Sequence, residues 1–148
     1  MVAMTRFFVC IASLISLTLG YCFATSFNLH FIGGDTKSFM GYSYKIEKKN
    51  DHCMNWTEPS SGIITPGTGV TFDLDEKSGA FSYCGWRSSY QWFHIEKYDD
   101  PSISADVQWL KKAGKTPHIN IEHDTHGIVH KHPGHPIVIG VPRPKTED

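Results

Sequence analysis

The chain has 148 residues, 40% of them hydrophobic, and carries 14 Lys and Arg against 15 Asp and Glu, a net charge of −1 with histidine neutral. A chain of that length and composition builds one modest core rather than several domains. Its basic residues are scattered apart from Lys48-Lys49 and Lys111-Lys112, and a phosphate-binding face needs them clustered, so nucleic acid is not an expected partner.

Residues 1–24 read as a secretory signal peptide. Arg6 precedes an apolar stretch from Phe7 to about Leu19 that is shorter than a membrane span, and small residues occupy the third-last and last positions if cleavage follows Ala24. Tyr21 stands before Cys22 where a lipid-attachment box needs a small residue. No second apolar run of spanning length follows, so the expected product is a secreted or periplasmic single all-β domain over residues 25–141, with a flexible tail over 142–148. Cys10 and Cys22 leave with the signal, and an oxidising destination makes a Cys53–Cys84 disulfide the expected pairing of the two that remain. On the chain-entropy account, closing that loop stabilises the fold by about 3 to 4 kcal/mol.

From Ser26 onward the hydrophobic period is two. Phe27, Leu29 and Phe31 alternate with Asn28 and His30, and Tyr42, Tyr44 and Ile46 alternate with Ser43 and Lys45, so each run predicts a strand with one buried face. The Thr65-Pro66-Gly67-Thr68-Gly69 turn leads into a strand at Val70–Leu74, which Asp75–Gly79 is expected to fold into a hairpin with Ala80–Cys84. In Tyr90–Tyr98, Trp92, His94 and Glu96 face one way and Phe93, Ile95 and Lys97 the other, before a turn at Asp99-Asp100-Pro101. Ser104–Leu110 predicts a further strand, with a short helical turn through Val107–Lys112 as the rival. Ile119 and Ile121 alternate with Asn120 and Glu122, and Pro136–Val141 supplies a last strand. Short strands punctuated by Gly, Pro and Asp predict a small antiparallel β-sandwich or open barrel.

Six of the chain's 9 histidines lie between His118 and His135. If Ile128–His132 is extended, His130 and His132 project from one face about 6 to 7 Å apart, a spacing that suits two ligands of one ion. His123 and His126 flank the other side of the Gly127 turn and complete a candidate metal set of His123, His126, His130 and His132, for which zinc or copper is the expected ion. Glu122 or Asp124 would serve as an oxygen ligand, an acceptor behind a histidine, or a general base if such a metal were hydrolytic. Solvated or hydrogen-bonded imidazoles explain the same run without a metal. Protonation of the histidines near pH 5 to 6 would make the protein distinctly cationic.

A second candidate region is aromatic. Trp86, Arg87, Tyr90 and Trp92 offer large rings with a polar rim, suited to a glycan, a lipid surface or a host protein. Core packing accounts for about half of the rings between Tyr83 and Tyr98, and Trp86 and Tyr90 flank loop residues. Ser88 and Ser89 stand near His94 and Asp99, but no Gly-x-Ser-x-Gly elbow is present, and Gly67-Thr68-Gly69 lacks the lysine and helix of a phosphate loop. Asn55-Trp56-Thr57 would accept a glycan in a eukaryotic source. The reading favours an exported binding protein, first through a histidine-held metal, alternatively through an aromatic surface, and third as a metal-dependent hydrolase.

Overall fold

Alternating apolar and polar residues give strands that bury one face, and two sheets bury those faces against each other. The computed structural model describes residues 26–34, 42–55, 58–77, 84, 87–112, 114–131 and 136–140. The expected signal peptide, Trp86, His132, most of the Ala80–Cys84 strand and the tail lie outside the described residues. Ten strands are described in chain order: β1 (Ser26–Gly33), β2 (Tyr44–His52), β3 (Met54–Asn55), β4 (Ser61–Ile64), β5 (Gly69–Glu76), β6 (Ser89–Lys97), β7 (Asp100–Lys111), β8 (His118–Glu122), β9 (Val129–Lys131) and β10 (Ile137–Ile139). They form two five-stranded sheets, β3-β5-β1-β10-β9 and β4-β2-β6-β7-β8, so the fold is a β-sandwich and not a closed barrel. Among the described residues every strand pairing is antiparallel except that of β1 with β10. Among the described residues no helix is long and apolar enough to cross a membrane.

The predicted inward faces are the observed ones. Leu29 and Phe31 on β1, Phe72 and Leu74 on β5, and Ile137 and Ile139 on β10 meet Tyr44, Ile46, Phe93, Ile95, Ala105, Val107 and Trp109 from the second sheet, all buried. Phe31 and Phe72 of the first sheet close on Phe93 of the second at ring-centroid distances of 5.2 and 5.0 Å, knitting the layers at their centre. Burying such a ring is worth roughly 1.5 to 3 kcal/mol, so this trio anchors the packing.

The chain changes layer repeatedly, and two of its corners position the sheets against each other. Cys53, at φ +57°, turns the end of β2 in the second sheet into β3 in the first, and its disulfide to Cys84, Cα–Cα 5.3 Å, holds that corner as expected. Near it, Lys111 Nζ donates to Glu76 Oε2 at 2.5 Å, tying β7 to β5 across the layers. At the second corner, Thr65–Thr68 joins β4 to β5 through Thr68 Oγ1, which accepts from Thr65 N at 2.8 Å, and Thr68 O accepts from Gly33 N at 2.8 Å. Gly33 sits so close that a Cβ there would overlap the Thr65 carbonyl oxygen.

The expected hairpin of Val70–Leu74 with Ala80–Cys84 falls on residues mostly outside those described; among the described residues β5 pairs along its length with β1 and, at Asp75 and Glu76, with β3. The helical alternative for Val107–Lys112 fails, since β7 runs through Lys111 to place Ala105, Val107 and Trp109 inward.

Candidate functional site

The outer face of the second sheet is built by the polar phase of the same strands. Register places Glu47 beside His94, His94 beside Asp106, and Asp106 beside Glu122; the next row runs Lys49, Trp92, Gln108 and Asn120. A bulge at Asn50, φ +40°, inserts one residue between Lys49 and Asp51. Gln91 stabilises it by donating from Nε2 to the Lys49 carbonyl at 2.8 Å. Beyond the bulge His52 returns to the outer face and stacks on Tyr90 at 5.3 Å. Tyr90 and Trp92 therefore stand two residues apart on one strand face, roughly 6 to 7 Å along the sheet.

Between these rows lies a concavity of about 480 Å³ lined by Lys49, Asn50, Trp92, His94, Asp106, Glu122 and His123. His123, at φ +51°, enters it from the end of β8. Two non-glycine residues in the left-handed region thus border one hollow, and each costs on the order of 1 kcal/mol relative to ordinary backbone. Strain of this kind persists only where the surrounding structure holds it in place.

His94 is the hub. Its Nδ1 is 2.8 Å from Asp106 Oδ1 and its Nε2 is 3.5 Å from Glu96 Oε2, so carboxylates on two strands fix the ring plane. Asp106 and Glu122 are like charges directly opposite each other, an arrangement that costs stability unless cations or a ligand sit between them. Lys49, His94 and His123 line the same hollow as that pair. Beside the hollow, Lys45 Nζ lies 2.6 Å from Glu47 Oε1, and this hydrogen bond holds the Glu47 carboxyl below its ordinary range and the Lys45 ammonium above its own. Among the described residues no serine, threonine or cysteine lines the hollow, and what it offers is hydrogen bonding in both senses around one flat apolar ring.

The residues named from sequence are distributed unevenly. Trp92, Tyr90 and His123 lie on or beside this face, and Arg87 stands two residues before β6. Trp86 and His132 lie outside the described residues. The 123–128 turn carries the chain from β8 in one sheet to β9 in the other, so His123 and His130 belong to different layers, while His126 is exposed on the turn with Nδ1 3.0 Å from Thr125 Oγ1. Among the described residues no group of three or more His, Cys, Asp or Glu is placed to hold a metal. Asp124 does not serve the hollow; its carboxylate accepts from the Ile128 and Val129 amides at 2.8 and 3.0 Å and shapes the turn itself. The His94–Asp106 pair is not legible in the sequence because the two residues lie on separate strands.

Among known proteins, no family model matches this chain, and neither a curated protein nor a solved structure matches it.

Proposed function

We propose that this chain is an exported binding module for a neutral glycan, held on the outer face of the β4-β2-β6-β7-β8 sheet. The observation that carries the reading is Trp92 set among Asn50, Asp106, Glu122, His94, His123 and Lys49 in one shallow hollow. A pyranose ring has an apolar face of C–H groups and a rim of hydroxyls. An indole packs against the former, and carboxylates, amides and imidazoles exchange hydrogen bonds with the latter. The mixture of cations and anions around the hollow favours an uncharged, hydroxyl-rich partner over a strongly acidic or basic one. Tyr90 stacked on His52, and the amide pair in which Asn120 Nδ2 donates to Gln108 Oε1 at 3.2 Å, extend the same chemistry along the sheet.

The test is calorimetric titration of the purified protein with neutral oligosaccharides of differing linkage. One class binds, and Trp92→Ala weakens it by about tenfold or more while leaving the unfolding curve in place. Failure of every oligosaccharide to bind, or equal affinity in Trp92→Ala, sinks the reading.

A further inference from the structure

β8 ends the second sheet, and we propose that its free edge pairs antiparallel with the same edge of a second copy of this chain. The direction of its backbone groups follows from β7. Thr125 N donates to Ser104 O and Ser104 N to Thr125 Oγ1, so alternate residues of β7 from Ser104 onward aim their peptide groups toward β8. Asp106, Gln108 and Leu110 are therefore the residues bonded to Glu122, Asn120 and His118, and Ile119 and Ile121 turn their amides and carbonyls outward. No further strand lies on that side among the described residues. An edge of this kind is a template for another strand.

Three observations define the occupant as a second copy. His118-Ile119-Asn120-Ile121-Glu122 is self-complementary about Asn120. In an antiparallel pair centred there, Ile119 stands across from Ile121 of the second copy, and His118 across from its Glu122, whose other neighbour is the like-charged Asp106. The two isoleucines are only half-buried, and Ile119 borders a mainly apolar cleft of about 460 Å³ that opens between the layers among Phe27, Leu29, Trp109 and Ile137, so an added strand covers apolar surface. Asn120 donates from Nδ2 to Gln108 Oε1, which leaves its carbonyl and second amide hydrogen for the matching amide of the second copy. In the single chain Lys131 Nζ meets the Ile119 carbonyl at 3.3 Å; that side chain is exposed and the bond long, and the incoming Ile121 amide replaces it. Glu122 also lines the outer hollow, so the pairing sets the hollows of both copies on one continuous face.

The experiment is sedimentation equilibrium of the protein over a range of concentrations, followed by oxidative crosslinking. The wild type forms a reversible dimer. His118→Glu, at an exposed position, sets like charges across the joint and weakens the dimer about tenfold, and adding Glu122→Lys restores it. Crosslinking then reads the register. The two Asn120 Cα atoms face each other about 4.5 Å apart, within reach of a disulfide, so Asn120→Cys yields a covalent dimer. The two His118 Cα atoms are offset by four residues of strand, about 13 Å, so His118→Cys does not. A monomer at every concentration overturns the proposal. So does a dimer indifferent to His118→Glu, one that Glu122→Lys fails to restore, or one that crosslinks as readily through His118→Cys as through Asn120→Cys.

Discussion

The two hollows are nearly equal in size, about 480 Å³ on the outer face and about 460 Å³ between the layers, and opposite in chemistry. One strand supplies both: β7 sends Asp106 to the open face and Trp109 to the cleft. A side-chain period of two is enough to divide the labour, since every second residue answers to water and the others to the core. The two tryptophans therefore report different physics. Trp109→Ala deletes a ring that packs on Phe27 at 5.4 Å and leaves a void, and urea unfolding is expected to register a loss of about 3 to 5 kcal/mol. Trp92→Ala, on the half-buried outer face, should cost under about 1 kcal/mol. Comparable losses at both positions would erase the distinction between a recognition face and a packing face.

The links between the layers sharpen the comparison at intermediate magnitude. Replacing Cys53 and Cys84 together by serine releases a crosslink spanning 31 residues, for an expected loss of about 3 kcal/mol in the same measurement. Glycan binding should survive in the folded fraction, because the hollow lies on strands whose pairing the disulfide does not make. At the turn that joins β8 to β9 across the layers, Asp124→Ala strands the amides of Ile128, which is fully buried, and Val129, costing about 2 to 3 kcal/mol. Asp124→Asn keeps one acceptor oxygen and should recover part of that loss. His123 leaves its left-handed position only if the turn moves, so Asp124→Ala is also expected to weaken the outer-face site, a coupling that comparison of its affinity with that of Asp124→Asn would reveal.

How far the chain announces this arrangement depends on the range of the interaction. Phe27, Leu29 and Phe31, or Phe93 and Ile95 against Trp92 and His94, disclose their strands because burial on one face is written in adjacent residues. β3 and β4 are too short, and Ser61-Gly62 too polar and small, to show any alternation. Partner choice is hidden in the same way: nothing local says that Val70–Leu74 joins β1. The His94–Asp106 pair is hidden twice over. A regular hairpin from Lys97 opposite Asp100 would put Ile103 across from His94, and the irregularity between Glu96 and Lys97 moves Asp106 there instead. The sequence marks Trp92 and His123 as a ring and an imidazole, but only the register and the backbone strain bring them to one hollow.

The smallest expected effect tests whether the outer face is held by its charges or merely decorated by them. Glu47 lies beside His94 in register, and its carboxyl is lowered chiefly by the hydrogen bond from Lys45. A lowered carboxyl favours the folded state above the unfolded value of 4.5 and loses that advantage as pH falls through the folded value. The raised Lys45 ammonium contributes fully below 10.5 and fades as pH climbs past it. The pair's contribution should therefore be a plateau between those limits with a decline on either side, and it should be slight because both groups are well exposed and solvent-screened. Urea midpoints of the wild type and Glu47→Gln, followed from pH 7 down to pH 3, should converge below the carboxylate range. A gap that persists or widens in acid would mean that Glu47 holds the His94 row by shape and hydrogen bonding, since its charge would then have been removed without consequence.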